Sequence, residues 1–120
     1  MGELLNERLK KYNRFAFELT NWNQAPDCAG VYFIVDELDD QCLIQYIGSS
    51  KCLIDRIRNH EIIRSIKKKG HFYFTKIYIV PMNLKDYRPA EAFFIQEFKP
   101  SLNKNKPDYH SCLRREHENV

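Results

Sequence analysis

The sequence has few of the features that mark specialised classes of protein. It has only four cysteines, at positions 28, 42, 52 and 112, and no two of them form a Cys-x-x-Cys pair. We therefore expect free thiols, as is usual in a reducing compartment, rather than a disulfide framework. A zinc site made of Cys112, His110 and His117 is an alternative, although their spacing matches no standard zinc motif.

Long hydrophobic runs and a strong charge of one sign are also missing. No apolar run approaches the roughly 18 residues that a membrane-spanning helix needs, and the N-terminus has no signal-peptide core. The net charge of +3 is too small to indicate a nucleic acid by itself. Repeats, low-complexity tracts and an interdomain linker are absent. We expect a cytoplasmic protein that does not contact a membrane and forms one domain over residues 1–120.

The composition is that of an ordinary folded chain, with three segments that have the residue types of β-strands. Hydrophobic residues make up 43% and charged residues 29% of the sequence, which argues against disorder. Residues 31–35 and 42–47 are rich in β-branched and aromatic residues. The acidic segment 36–40 between them supplies turn formers and predicts a β-hairpin. Residues 71–80 are largely apolar or aromatic on both faces, as in a central strand covered on each side.

Three further segments are predicted to be helical. In residues 3–19 the apolar positions from Leu5 to Leu19 recur in alternating steps of four and three, which predicts an amphipathic N-terminal helix within residues 1–20. A second helix is predicted over residues 51–66, and a third begins near Pro89 and ends at Pro100. The polar residues 105–120 form either a short docked helix or a mobile tail.

The second predicted helix carries two polar residues on its inner side. Arg56 and His60 lie one turn apart, on the side that Leu53 and Ile57 commit to the protein core. Ile62 and Ile66 point to the opposite side, so the end of this helix must either pack against another element or bend. The cations that close it (Arg64, Lys67, Lys68 and Lys69) complement the helix C-terminus, track phosphates, or do both.

The third predicted helix carries a carboxylate in an aromatic stripe. Glu91 shares one side with Phe94, Ile95 and Phe98, while Phe93 and Glu97 point elsewhere. Because an unpaired charge is costly to bury, a buried carboxylate needs a partner or a metal ion. Glu91 is therefore a candidate functional residue even when it is considered alone.

Five elements in this order resemble the GIY-YIG endonuclease superfamily. They are Gly30-Val31-Tyr32, Tyr46-Ile47-Gly48, Arg56 with His60, the segment that begins at Glu91, and Pro100 followed by Leu102 and Asn103. Val31 stands where the family more commonly has Ile. Each element is a weak signal alone, but their order and spacing over residues 28–104 are specific. The predicted fold is an α+β domain in which helices flank a small, mainly antiparallel three-stranded sheet.

The resemblance implies a site that hydrolyses DNA phosphodiester bonds. Glu91 would bind one divalent cation, Mg²⁺ or Mn²⁺, and Arg56 would hold the non-bridging oxygens of the phosphate. Tyr32 would be the general base, a role for which a tyrosine needs cationic neighbours because its ordinary pKa is about 10. Tyr46 would position the nucleophile or the phosphate. His60 would accept a proton from Tyr32 or orient it.

Two more assignments concern residues around this site. Asn103 would act behind the reacting groups by fixing a loop or a water on the metal. The surface expected to bind DNA comprises Ser49, Lys51, Arg58, Arg64, Lys67, Lys68 and Lys69, with Lys104 and Lys106 as further candidates. If these cations neutralise phosphates, DNA binding should weaken steeply with salt.

Two other functions are compatible with the sequence. One is a nuclease-like domain that only binds nucleic acid or docks to a protein partner. The presence of every expected catalytic residue argues against it, but no second DNA-binding module is recognisable, which suggests weak sequence preference, a partner subunit or a fragment of a larger protein. The other is a small structural protein with accidental motif matches. Roles in repair, restriction and mobile elements are all open.

Overall fold

Four strands form one antiparallel sheet in the computed structural model, which describes residues 5–38, 41–69 and 74–104. The strands are β1 Phe15–Glu18, β2 Gly30–Leu38, β3 Gln41–Ser50 and β4 Thr75–Pro81. Their order in the sheet is β1-β4-β2-β3, and every neighbouring pair is antiparallel. Thus β2 and β4 are central strands, and β1 and β3 form the two edges.

Helices cover both faces of this sheet. They are α1 Leu5–Arg8, α2 Leu53–Arg58, α3 Glu61–Lys69, α4 Tyr87–Phe98 and α5 Ser101–Lys104, with a 3₁₀ segment Leu19–Gln24 between β1 and β2. On one face Ile34 and Ile79 pack with Leu53 and Ile57 of α2. On the other face the core consists of Leu5, Leu9, Val31, Phe33, Val35, Ile47, Tyr78, Val80 and Phe94. No helix in the described ranges is long and apolar enough to cross a membrane.

The predicted hairpin is confirmed, and its strands are longer than the sequence pattern indicated. β2 and β3 pair from Gly30 with Ser50 to Leu38 with Gln41. The strand predicted over residues 71–80 is confirmed from Thr75 to Val80, and it lies in the centre of the sheet between β1 and β2. Phe74 is in a turn, and Pro81 is the last residue of β4. Residues 71–73 lie outside the described ranges. So do the tail 105–120, Lys106 and the zinc alternative.

The prediction of three strands and a continuous N-terminal helix is wrong. Leu5 and Leu9 are buried one helical turn apart, as expected, but α1 ends at Arg8. From there Phe17 and Leu19 are buried while Ala16 and Glu18 are exposed, which is the two-residue period of a strand. This segment pairs with β4 from Phe15 opposite Ile79 to Glu18 opposite Lys76. Pairing with a distant strand therefore overrides a spacing that also fits a helix.

The prediction of one helix over residues 51–66 is also wrong, because the chain bends after Arg58. Asn59 leaves the helical region at φ −111° and ψ 21°, and its side-chain amide donates to the backbone oxygen of Asp55 at 3.1 Å. After the bend, α3 starts at Glu61, and Ile62 and Ile63 are buried in the same core as α2. Of the two alternatives that the sequence left open, the helix bends.

Candidate active site

Tyr32 of β2 lies across the backbone of Gly48 in β3. The two residues are directly opposite each other in the hairpin, and Tyr32 is 1% exposed. A Cβ atom built on Gly48 would be 2.5 Å from Cζ of Tyr32, which is closer than real side chains approach. Gly48 is required because the space that a side chain would fill is occupied by the phenol. The missing side chain thus lets Tyr32 reach from a central strand toward the edge strand.

His60 holds the Tyr32 hydroxyl from the bend between α2 and α3. Its Nε2 atom is 2.7 Å from the hydroxyl oxygen, and the His60 side chain is fully buried. Its other ring nitrogen, Nδ1, accepts the backbone N–H of Ile62 at 3.1 Å. His60 precedes the first residue of α3, so its ring acts as the N-cap of that helix. One imidazole therefore starts α3 and fixes Tyr32.

These two bonds determine which nitrogen of His60 carries the proton. Because Nδ1 accepts a backbone N–H, the proton of the neutral ring is on Nε2, which donates to the Tyr32 oxygen. Glu61 Oε1 is 3.8 Å from Nδ1, an ion-pair distance only if the ring is protonated there. Since the N–H of Ile62 faces Nδ1, the neutral form fits better. Of the two roles expected for His60, this pattern favours orienting Tyr32.

Tyr46 completes an aromatic group around the imidazole. Its ring centroid is 5.1 Å from that of His60 and 6.2 Å from that of Tyr32, and the His60 ring meets both phenols edge-on. Tyr46 is 5% exposed. Both tyrosines of the two triplets and His60 are thus in mutual contact on one face of the sheet.

Arg56 of α2 carries its charge beside the two phenols. Its side chain is 28% exposed, and Nη2 is 3.1 Å from Oε1 of Glu61. Burial by itself disfavours the charged guanidinium, but the phenol groups of Tyr32 and Tyr46 and the carboxylate of Glu61 outweigh it and raise the pKa of Arg56. Arg56 is therefore a permanent cation at the site.

Glu91 of α4 reaches β3 beside the position where Tyr32 crosses it. The carboxylate is 2% exposed, and its Oε1 accepts the Ser49 hydroxyl at 2.5 Å. Gly48 and Ser49 are consecutive, with Cα atoms about 3.8 Å apart. Because successive strand residues face opposite sides, Tyr32 and Glu91 approach β3 from its two faces. β3 is an edge strand, and the two side chains meet it at the neighbouring positions Gly48 and Ser49.

Asn103 of α5 is tied to the same stretch of β3. Its Oδ1 accepts the backbone N–H of Ile47 at 2.8 Å, and its Nδ2 donates to the backbone oxygen of Ile47 at 3.1 Å. The side chain is fully buried. Asn103 therefore imitates a neighbouring strand and holds the segment between Tyr46 and Gly48, which agrees with a supporting role.

The donor set fits a metal ion held mainly by water. In the part of the chain that the structure describes, no three His, Cys, Asp or Glu side chains cluster as ligands. Glu91 is a buried carboxylate at the rim of β3, and Mg²⁺ commonly binds proteins through one or two carboxylates while keeping several waters. Glu91 is thus the side chain that would hold the expected cation.

The basic residues predicted to contact DNA lie mostly on α2 and α3. Exposed cations there and just before α2 are Lys51, Arg58, Arg64, Lys67 and Lys68. Arg58 lies over the ring of Trp22, 5.3 Å from its centroid, and Arg64 donates to the backbone oxygen of Asn59 at 2.8 Å. Lys69 is in α3. Ser49 differs from this group because its hydroxyl is bonded to Glu91.

Sequence reasoning missed the contact of Glu61 with Arg56. Five residues on a continuous helix are about 140° apart, so the predicted helix placed the two side chains on different sides. The bend at Asn59 and His60 brings them together. The spacing of Ile62 and Ile66 left a bend open, but it did not indicate that the bend lies at Asn59 and His60 or that it brings Glu61 to Arg56.

Most of the structure is similar to crystal structures of one bacterial nuclease domain. The GIY-YIG N-terminal endonuclease domain of UvrC from Thermotoga maritima, bound to its catalytic divalent cation magnesium, matches with a TM-score of 0.54 and 26% identity. The match covers 70% of this chain and 92% of that one. A tyrosine-to-phenylalanine point mutant of that domain, also bound to the catalytic divalent cation, matches with a TM-score of 0.53, 26% identity and coverages of 70% and 91%.

The architecture and the grouped motif residues define this chain as having the fold of a nuclease domain. No protein-family model and no curated protein matches the chain. The structural matches, together with the five motif elements, identify it as a GIY-YIG superfamily domain. The resemblance stated from the sequence is thereby confirmed.

Proposed function

We propose that this domain is a metal-dependent endonuclease that hydrolyses phosphodiester bonds of DNA. The observation that carries the proposal is the bond between His60 Nε2 and the Tyr32 hydroxyl, with Arg56 beside the same phenol. A core tyrosine needs only a hydrogen-bond partner, whereas here an imidazole binds the hydroxyl oxygen and a guanidinium also interacts electrostatically with the same phenol. Such a concentration of titratable and charged groups is typical of catalytic sites.

Hydrolysis joins a water oxygen to phosphorus and breaks the bond from phosphorus to the leaving oxygen. One proton of the attacking water passes to Tyr32, and the leaving oxygen takes a proton from a solvent water. Tyr32 takes the proton of the water as its phenolate, and His60 stabilises that anion because hydrogen bonds to charged acceptors are the stronger ones. Tyr46, which touches the same imidazole, positions the water or the phosphate.

Negative charge that develops on the phosphate is met by cations. Arg56 holds the non-bridging oxygens with its planar fork of donors. Glu91, oriented by Ser49, holds the divalent ion together with water. When bound, that ion stabilises negative charge on a phosphate oxygen and on the leaving oxygen. Asn103 maintains the β3 segment that carries Tyr46.

The similarity to the UvrC endonuclease domain supports a metal requirement, because a crystal structure of that domain contains its catalytic divalent cation, magnesium. We propose the same class of ion here, Mg²⁺ or Mn²⁺, with one ion per site. The exposed cations of α2 and α3 are proposed to contact the DNA backbone. Because contacts to the DNA backbone carry no sequence information directly, we expect weak sequence preference or a partner subunit that supplies it.

The test is a cleavage screen of the purified chain on supercoiled, flap, junction and single-stranded DNA. Each substrate is incubated with Mg²⁺, with Mn²⁺ and with a chelator. We expect ion-dependent nicking or cutting that is lost in Arg56→Ala and in Glu91→Gln. Glu97→Gln is the matched control, because Glu97 is an exposed residue of the same helix and pairs with Arg8.

If every substrate stays intact under every ion condition while DNA still binds, the proposed endonuclease activity is wrong. The alternative of a non-catalytic binding or docking domain is then favoured. Cleavage that survives in Glu91→Gln would contradict the assigned metal ligand. Cleavage that persists with a chelator would contradict the metal requirement itself.

A further inference from the structure

The guanidinium that we assign to the phosphate is already paired with a carboxylate of the chain. Arg56 Nη2 is 3.1 Å from Glu61 Oε1. The two partners differ in how firmly they are held, because Glu61 is 68% exposed and Arg56 only 28% exposed. Glu61 can therefore swing into solvent without disturbing the core, whereas Arg56 is constrained by its surroundings.

The bend between α2 and α3 creates this contact. A continuous helix would place Glu61 about 140° away from Arg56. Instead, Asn59 ends α2, the buried His60 caps α3, and Glu61 becomes the first residue of α3. The same bend that brings His60 to Tyr32 also brings a carboxylate to Arg56.

We propose that the Glu61 carboxylate binds the Arg56 guanidinium in the free protein, at the place where the substrate phosphate binds in the complex. Binding of DNA must therefore displace Glu61 from Arg56. This inference rests on the proposed function, since it assigns Arg56 to the scissile phosphate. Carboxylate and phosphate oxygens compete for the same guanidinium donors. Glu61 is therefore a positioning residue that sets how strongly the site holds a phosphate.

The charges around Glu61 favour an ion pair with Arg56 that a phosphate can still displace. Partial burial acts to raise the pKa of Glu61, but a backbone hydrogen bond and the charge of Arg56 outweigh it, so that this pKa is lowered. Glu61 is thus an anion at neutral pH. Its position in the first turn of α3 also favours negative charge. Because Glu61 is largely solvated, the pair is weak enough for a phosphate to replace.

The first test is DNA binding with a chelator present, so that no substrate is cut. A fluorescent oligonucleotide is titrated at one fixed salt concentration against Glu61→Gln and Asp55→Asn. Asp55 is an exposed acid of α2 next to Arg56 whose removal deletes the same charge without deleting the ion pair. We expect Glu61→Gln to bind about two- to fivefold more tightly than Asp55→Asn, the range that an exposed ion pair allows.

The second test places both substitutions in an Arg56→Ala background. If Glu61 acts through Arg56, the two variants should then bind DNA equally. Equal affinities with Arg56 present, or tighter binding by Glu61→Gln that persists without Arg56, would overturn the proposal. Failure of every variant to bind DNA would overturn it as well.

Kinetics separate this role from a role in aligning Arg56 for reaction. We expect Glu61→Gln to lower KM for DNA and to leave kcat within about twofold, because an interaction with the free enzyme alone is lost. A fall in kcat with unchanged KM would overturn the proposal. If Glu61→Gln binds DNA more tightly than Asp55→Asn but the protein cuts no DNA, the proposed enzyme activity is wrong and the competition between Glu61 and DNA for Arg56 stands. If the protein cuts DNA and Glu61→Gln binds DNA like Asp55→Asn, only the proposed competition of Glu61 with DNA is wrong.

Discussion

His60 donates its Nε2 proton to the hydroxyl oxygen of Tyr32 at 2.7 Å, inside a region from which solvent is excluded. The backbone N–H of Ile62 imposes this direction, because it occupies the other ring nitrogen. A histidine held in this way cannot receive the proton of Tyr32 through Nε2. It can stabilise the phenolate that remains when that proton has left.

The first prediction follows from this relationship. In His60→Ala, the rising limb of the pH–rate profile for DNA cleavage should move to higher pH, since the phenolate loses a donor. The rate near neutral pH should fall about 10- to 100-fold, less than the roughly 10²–10⁴-fold that a general base itself contributes, because Tyr32 is still present. Cleavage rates between pH 6 and 10 check it, with the melting temperature measured in parallel. A lower rate with an unmoved profile would indicate that His60 only supports the fold.

The second prediction concerns the crossing of Tyr32 over Gly48. Gly48→Ala should destabilise the protein by about 1–3 kcal/mol, because the added methyl group overlaps the phenol. Combined with Tyr32→Ala, the same substitution should cost much less, because the clashing ring is gone. Urea unfolding of the two single variants and the double variant measures this coupling. Additive losses would contradict the close approach of the two residues.

The third prediction separates two adjacent serines. Ser49 donates to the Glu91 carboxylate, whereas Ser50 bonds the backbone of Cys52. Ser49→Ala should raise the Mg²⁺ concentration that gives half-maximal cleavage by about 10-fold or more, as is common when a residue that orients a metal ligand is lost. Ser50→Ala should leave it unchanged. Equal effects of the two substitutions would remove Ser49 from the metal site.

The fourth prediction concerns the paired bonds of Asn103. Asn103→Ala should lower the free energy of unfolding by about 1–3 kcal/mol, because both bonds to the backbone of Ile47 are lost. Asn103→Asp should also be destabilising, although its shape is the same, since a carboxylate cannot donate to the Ile47 oxygen. Asn83→Ala, at an exposed position, is the control. Wild-type stability of Asn103→Asp would contradict the two-bond arrangement.

The pattern of residue types along the sequence was sufficient to predict much of the fold and several residues of the site. The β-branched and aromatic residues on either side of an acidic segment predicted the β2–β3 hairpin, and a run that is largely apolar or aromatic on both faces predicted the central strand β4. The motif elements also identified Tyr32, Tyr46 and His60, which are in contact in the structure. Such features are readable because burial on one or two faces leaves a period in the sequence.

Other features were decided by contacts between distant parts of the chain. β1 exists because Phe15–Glu18 pairs with β4 about 60 residues later, and its spacing alone fitted a helix. Glu91 meets a serine 42 residues away, and Asn103 meets a backbone 56 residues away. Local preference cannot encode such partners, because each depends on where another element lies.

The bend at Asn59 and His60 shows most clearly the difference between what the sequence predicts and what tertiary contacts decide. The sequence by itself placed Arg56 and His60 on the inner side of one helix, with Ile62 facing away. In the folded protein, the helix is interrupted at Asn59 and His60, and this interruption allows Ile62 to be buried, His60 to cap α3 and Glu61 to pair with Arg56. The residue types came from the sequence, but their meeting was decided by the packing of two short helices on one sheet.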